Sequence, residues 1–455
     1  MIRRLVLWLD DRLGAASFAR RALRKAFPDH WAFVLGEVAL YAYVLLVLTG
    51  VFLTFFFTAS GQDVVYQGPY APLRGVRMSA AYASVLSLSF EVRAGLVMRQ
   101  IHHWAALVFV AAIAAHALRV FFTGAFRRPR EINWLIGTSL LLLAMAAGFT
   151  GYSLPDDLLS GTGIRIAYSV LLSIPVVGTW AAFLFFGGEF PAPVTIGRLL
   201  ALHIMLLQGL IIAALGLHLA IIWHQKHTQF RAPGRTENTV TGSPLWPNYA
   251  MKSIGLALVV FAVLAMLGGL FQINPVWLYG PYDPTTVSAP AQPDWYVGWL
   301  EGALRLMPNW EIRALGHTIP EPFFPGVVVP GVLIAAYALW PFIEQRVTGD
   351  REVHHFLDRA RDAPGRSGVG AGGLAFLVVL TLAGSNDALA RLFGVPVEVV
   401  TIVLRGLVLL VPAAVGWVTY VACRELKARD AHPAAAWHTL RRGPGGGYVE
   451  SDDGR

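Results

Sequence analysis

Apolar residues fall in eight long blocks separated by polar connections, over about residues 34–58, 94–122, 133–153, 198–223, 252–272, 325–345, 371–390 and 396–422. At about 1.5 Å per residue, helices of this length cross a hydrocarbon layer about 30 Å thick. The pattern predicts an all-α integral membrane protein with eight transmembrane helices. The second and fourth blocks are longer than a membrane requires, so those helices tilt or project. The connections 59–93 and 154–197 are long and moderately apolar, which predicts short helices at the membrane surface. The connection 273–324 is rich in Pro, Trp and Tyr. A loop of that length is usually functional or disordered, and its aromatic content favours function. Residues 1–33 read as a basic amphipathic segment with no apolar core and cleavage site of a secretory signal.

Composition agrees. Apolar residues make up 56% of the 455-residue chain and charged residues only 14%, against roughly 25% charged in soluble domains. Mean hydropathy is +0.56. These values exclude a disordered chain and argue against a soluble enzyme. The single cysteine, Cys423, excludes a disulfide framework, a Cys-ligated iron–sulfur cluster and Cys-x-x-Cys-His haem attachment. Any metal or haem must therefore be held by other ligands, histidine first.

The net charge of +8 raises the question of a nucleic-acid partner, and its distribution answers it. With the N-terminus placed in the cytoplasm, 26 Lys and Arg residues fall on that side and 8 on the other. The positive-inside bias accounts for the charge without nucleic acid. It predicts a multi-pass protein of the bacterial cytoplasmic membrane with both termini inside. The chain divides into the segment 1–33, a bundle over 34–224, a second membrane domain over 225–423 carrying the loop 273–324, and a cytoplasmic tail 424–455.

Histidines inside spans are costly and need a partner or a function. The second span carries His102, His103 and His116, and the fourth carries His203 and His218. At about 100° per residue, the 14 residues from His102 to His116 fall about 40° short of four turns, so the two share a face. The 15 residues from His203 to His218 overshoot four turns by about 60°, again one broad face. His103 points away from His116 and reads as an interhelical hydrogen-bonder. The second and fourth spans run in the same direction, so His102 meets His203 near the outer face and His116 meets His218 nearer the inner face. A lone span histidine is more often a hydrogen-bonder, but two pairs at matched depths suggest two bis-histidine haem sites, since imidazole suits iron.

Glycines repeat the spacing. Gly36 and Gly50 on the first span, and Gly137 and Gly151 on the third, are each 14 residues apart. Glycine lets a flat ring approach a helix backbone, whereas ordinary small-residue helix packing would use the same residue type. Together with the histidines they predict a four-helix bundle holding two stacked, non-covalent b-type haems. Arg99, Arg119 and Arg198 lie near the histidines, where haem propionates need cations; snorkelling at span ends is the alternative.

These residues resemble cytochrome b of the quinol:cytochrome c reductase (cytochrome bc) complexes. Arg99-Gln-Ile-His102, His116-Ala-Leu-Arg119 and the stretch from Thr123 to Glu131 are similar to that family's second helix and following loop. Gly151-Tyr-Ser-Leu-Pro155 resembles the end of its third helix, and Ser160-Gly-Thr-Gly163 with Ser173-Ile-Pro175 its surface helix over the outer quinol site. Pro293-Asp294-Trp295-Tyr296 resembles the family's Pro-Glu-Trp-Tyr motif with the carboxylate shortened by one methylene. The likeness covers about residues 30–425. Gln225-Lys-His-Thr-Gln-Phe230, Gly316-His-Thr-Ile-Pro320 and Gly447-Tyr-Val-Glu450 resemble actinobacterial members, similar to menaquinol oxidisers that associate with a haem–copper oxidase.

The resemblance implies quinol oxidation at the outer face. One electron goes to a Rieske iron–sulfur subunit and on to a cytochrome c subunit. The other passes through the outer haem (His102, His203) and the inner haem (His116, His218) to a quinone near the cytoplasmic face, coupled to proton translocation. Asp294 is the expected proton acceptor, with Tyr296 as its hydrogen-bonding neighbour. Gly163, Pro293, Trp295 and His317 are further outer-site candidates, and His224, Lys226 and His227 are inner-site candidates. A homodimer is expected. Two alternatives stand beside this reading: a dihaem membrane anchor of another quinone-linked enzyme, and a transporter with pore-lining histidines.

Overall fold

The computed structural model describes residues 2–286, 292–314, 316–431, 439–442 and 448–451. Its eight helices long and apolar enough to cross a membrane are Leu35–Thr54, Gly95–Phe122, Glu131–Tyr152, Thr195–Gln225, Leu245–Leu270, Phe324–Thr348, Pro364–Ala383 and Val397–Asp430. The long connections carry the expected short helices, among them Ala80–Phe90, Leu158–Leu172 and Gly178–Phe186. Among the described residues the fold is mostly helical, with four two-stranded ribbons confined to loops and termini. One of them, Ala26–Phe27 with Ser243–Pro244, ties the N-terminal segment to the start of the fifth span.

The first four spans pack around small residues. Ala39, Ala42, Ala105, Ala112, Ala144 and Ala147 are all buried, which lets helices approach closely where no hydrophobic effect drives them together. Val260 and Leu264 of the fifth span and Tyr296 of the following loop enter the same core. The seventh and eighth spans touch through glycine. A Cβ on Gly368 would lie 2.9 Å from the Gly416 carbonyl oxygen, and one on Gly372 2.9 Å from that of Pro412.

The seventh span departs most from its apolar block. It starts at Pro364 and ends at Ala383, not 371–390, and Asn386–Phe393 forms a separate short helix. Electrostatics explains the shift. The Arg366 side chain is 2% exposed and is paired with Glu344 and, at 3.0 Å, with Asp358. Arg127 bonds the other Asp358 oxygen at 3.0 Å. Neutralised this way, a charged first turn joins a buried helix, and hydropathy alone cannot foresee it. The network clamps the loop after the second span to the sixth and seventh spans. Arg366→Leu leaves Glu344 without its guanidinium partner and is expected to cost about 3–5 kcal/mol, read as a lowered melting temperature of the purified protein.

Candidate functional site

The four histidines lie on facing sides of the second and fourth spans. The unequal spacings, 14 and 15, are reconciled by a π turn over Leu202–Leu207 that includes His203. A π turn absorbs one extra residue, so the 15 residues turn the helix as far as 14 do in regular geometry. Side chains support the widened ladder: Gln208 Nε2 donates to the His203 carbonyl at 3.0 Å, and Gln208 Oε1 accepts from the Tyr43 hydroxyl at 3.0 Å. The His116 and His218 rings stand 6.5 Å apart between centroids at 76°. Two metal–imidazole bonds of about 2 Å, with half a ring on each side, span about 6 Å. The pair fits a shared metal.

Each imidazole lies against a glycine. A Cβ would meet Cε1 of His116 at 3.4 Å from Gly36, of His102 at 3.3 Å from Gly50, of His218 at 3.6 Å from Gly137 and of His203 at 2.6 Å from Gly151. The glycine notches thus receive the histidine rings. In the outer pair a threonine precedes the glycine and bonds the ring. Thr49 Oγ1 lies 2.9 Å from His102 Nδ1, and Thr150 Oγ1 lies 3.1 Å from His203 Nδ1. Both hydroxyl protons are committed to helix carbonyls, Leu45 at 2.7 Å and Ala146 at 2.9 Å. The hydroxyl oxygen therefore accepts from Nδ1–H, which assigns the tautomer that leaves Nε2 free for a metal.

The outer pair opens into a cavity of about 520 Å³, lined also by Gly50, Gly151 and Arg99. Arg99 is buried; its Nη2 donates to the Asn274 carbonyl at 2.9 Å, and its Nε has no hydrogen-bond partner among the described residues. His103, Asp294 and Tyr296 line the same cavity. His103 Nε2 is 3.3 Å from one Asp294 oxygen, and the Tyr296 hydroxyl donates to the other at 3.2 Å. His103 is thus bonded to the loop carboxylate and not to another span. Burial, reinforced by the Asp294 charge, holds the Tyr296 hydroxyl well above the ordinary tyrosine range, so it acts as a donor. Tyr296 fits because Gly148 makes room: a Cβ there would lie 2.4 Å from the hydroxyl.

The surface helix Leu158–Leu172 is docked on the same loop. Asp157 caps it, and the Leu158 amide donates to the Gly280 carbonyl at 2.9 Å. Gly161 takes the Tyr282 ring, with a Cβ 2.3 Å from Cγ, whereas Gly163 faces open space. In Ser160-Gly-Thr-Gly163 the first glycine serves packing and the second leaves room. Trp295 is exposed and does not line the cavity. His317 stands on the ribbon Ile312–Ala314 with His317–Ile319, and its side chain lies outside the described structure.

At the end of the fourth span His224 and Lys226 are exposed and His227 is half-buried. His227 packs on Phe27 with ring centroids 4.5 Å apart. Burial, with Lys25, Arg130 and Arg119 nearby, pushes its pKa down to about 4. Lys226 adopts φ 66°, a left-handed conformation unusual for a non-glycine residue, and the Arg130 guanidinium holds its carbonyl at 3.1 Å. Arg119 is stacked over Phe33 at 4.3 Å, and its Nε and Nη2 have no hydrogen-bond partner among the described residues. Such orphaned buried donors beside His116 suit an anionic propionate. Arg198 is exposed and donates to the Phe183 and Leu184 carbonyls. It braces helix Gly178–Phe186 and does not line the outer cavity.

Comparison with known proteins settles the family. A model described as cytochrome b (N-terminal)/b6/petB matches residues 107–281. The chain is 50% identical over 446 residues to the cytochrome bc1 complex cytochrome b subunit of Mycobacterium bovis, covering 97% of this chain and 81% of the relative. The same subunit from Streptomyces coelicolor is 49% identical, over 94% and 78%. The chain belongs to the cytochrome b subunits of cytochrome bc1 complexes. A solved hyperthermophilic respiratory Complex III shares the fold at TM-score 0.67 and 19% identity, covering 91% of this chain and 99% of that one. As a cytochrome b, the protein carries b-type haem and works as one subunit of a respiratory complex. Membership removes the anchor and transporter alternatives.

Thr49, Thr150, Gly148, Gln208 and His103 were not singled out as site residues from the sequence. The repeated Thr-Gly dipeptide at 49–50 and 150–151 is a signal for the first two; the others needed the fold. The glycine contacts yield a graded expectation. Gly151→Ala forces the His203 ring to move and is expected to lose or shift one b-haem absorbance band. Gly137→Ala, at an ordinary contact distance, is expected to leave the spectrum unchanged.

Proposed function

We propose that the protein is the dihaem subunit of a menaquinol:cytochrome c reductase and that the outer cavity is where quinol is oxidised. The observation that carries this reading is the shared cavity: two metal-ready imidazoles, His102 and His203, open on the space lined by Asp294 and Tyr296. His102 with His203, and His116 with His218, would hold two haems, with Arg99 and Arg119 pairing propionates. When bound, the haems supply one-electron carriers between the outer cavity and the cytoplasmic face.

Oxidising a quinol releases two electrons and two protons. Asp294 accepts a proton from the quinol hydroxyl, and His103 and Tyr296 hold its two oxygens in place. A Rieske iron–sulfur subunit takes the first electron and passes it to a cytochrome c subunit. The second electron serves quinone reduction near the basic cytoplasmic face, close to His227. The separation of these sites across the membrane is what couples the reaction to proton translocation.

Menaquinol as substrate, and association with a haem–copper oxidase, rest on the resemblance to actinobacterial subunits and on the identity to the Mycobacterium and Streptomyces relatives. The cytoplasmic-membrane location with both termini inside rests on the charge asymmetry. A homodimer is part of the same reading.

Asp294→Asn keeps the shape and removes the basic carboxylate. Quinol oxidation is expected to fall about 10²–10⁴-fold, the usual contribution of a positioned base, while both b-haem bands persist in the reduced-minus-oxidised spectrum. Unchanged turnover would remove Asp294 from this role. His102→Ala is expected to abolish the outer haem band and spare the inner one.

A further inference from the structure

A second polar cluster lies inside the membrane-spanning helices, away from the outer cavity. Glu37, in the first turn of the first span, accepts hydrogen bonds from three hydroxyls. Tyr249 donates to Oε1, Ser253 donates to Oε2, and Tyr41 donates to Oε2 at 3.2 Å. The Tyr41 and Ser253 oxygens are 2.5 Å apart. Two helices thus spend three hydroxyls on one carboxylate. The adjacent cation, Lys252, is paired with Asp29 instead. An ionisable group in a span signals function by default, and this one is held by groups that pass protons.

Its surroundings point to the cytoplasmic end of the haem bundle. Gly36, the residue before Glu37, touches the His116 ring. Tyr249 packs on Phe27 with centroids 4.6 Å apart, and Phe27 in turn packs on His227 at 4.5 Å. Glu37, Tyr249, Phe27 and His227 therefore form one continuous strip beside the inner histidine pair. The exposed Asp29–Lys252 pair borders it on the water side, and Asp29 also accepts from the Ser243 hydroxyl at 3.1 Å.

His227 stays neutral at physiological pH because its pKa sits near 4. A neutral imidazole can hydrogen-bond a quinone carbonyl but is a poor proton source. Quinone reduction also needs a group that takes up protons from water and hands them on, and a carboxylate ringed by hydroxyls is built for that relay.

We propose that Glu37, relayed by the hydroxyls of Tyr249 and Ser253, is the proton donor to the quinone reduced at the cytoplasmic face, with His227 orienting the opposite carbonyl. The balance is complete. One quinone takes two electrons, one from each of two quinols oxidised in turn at the outer cavity, and two protons that cytoplasmic water returns to Glu37 along the Asp29–Lys252 edge. This inference rests on the quinol-reductase reading above.

The test mixes the purified, haem-loaded complex rapidly with short-chain naphthoquinol and naphthoquinone and follows reduced b-haem absorbance. In the wild type the band rises as quinol is oxidised and then decays as quinone is reduced. In Glu37→Gln the rise keeps its wild-type rate and the decay slows about tenfold or more, while Glu37→Asp, which retains an acid, decays faster than Glu37→Gln. A wild-type decay in Glu37→Gln overturns the proposal. Should Glu37→Gln lose its haem absorbance, the Tyr249→Phe/Ser253→Ala double variant keeps the carboxylate and removes two relays. Slow decay there supports the proposal and wild-type decay overturns it. Failure of the broader reading looks different: the wild-type band itself does not rise with quinol.

Discussion

The constraint beneath this structure is the burial of four imidazoles in an apolar bundle. Lipid and packed alanines offer a buried ring nitrogen no water, and among the described residues Nδ1 of His116 and of His218 finds no hydrogen-bond partner. The outer pair finds its partner in threonine. Thr49 and Thr150 accept from Nδ1 of His102 and His203 while their own protons are tied to helix carbonyls. The adjacent glycines create the notch in which each ring lies. One dipeptide, Thr-Gly, thus sets both the position of the ring and its tautomer. The other nitrogen is left facing the place where a metal belongs.

Much of the remaining architecture follows from keeping those rings in line. The π turn at Leu202–Leu207 restores the phase between His203 and His218, and Gln208 and Tyr43 satisfy the ladder it loosens. Tyr296 reaches from the long loop into the same alanine-rich core, so the loop is anchored by packing as well as by the bond between Asp294 and His103. Helix Leu158–Leu172 is pinned to that loop through Asp157 and Gly161. At the opposite end from the outer cavity, buried ion pairs around Arg366 and Asp358 clamp the second membrane half to the first. The outer cavity and the inner strip are thereby held at opposite ends of one rigid bundle.

The legibility of each part reflects the kind of physics that encodes it. Span number, surface helices and the matched spacings of histidines and glycines are readable because apolar blocks and helical periodicity are local properties of the chain. The seventh helix was misplaced because its first turn contains Arg366, whose charge is neutralised by Glu344 and Asp358, residues on other segments. Arg198 looked like a propionate partner by its distance from His203, but it turns to the carbonyls of helix Gly178–Phe186. His103 was placed on the correct side of its helix, away from His116, yet its partner lies 191 residues further along the chain.

The eight spans and the matched spacings of four histidines and four glycines are legible in the chain alone. Those follow from hydropathy and from about 3.6 residues per turn, which act within one helix. Tertiary structure alone decided that a π turn reconciles 15 residues with 14, that His103 and Tyr296 hold Asp294 between them, and that Glu37 gathers three hydroxyls from two helices. Each of these is a contact between segments distant in the chain or a local break in helix geometry. Neither leaves a periodic trace in a single segment, because the energy that stabilises it comes from the partner.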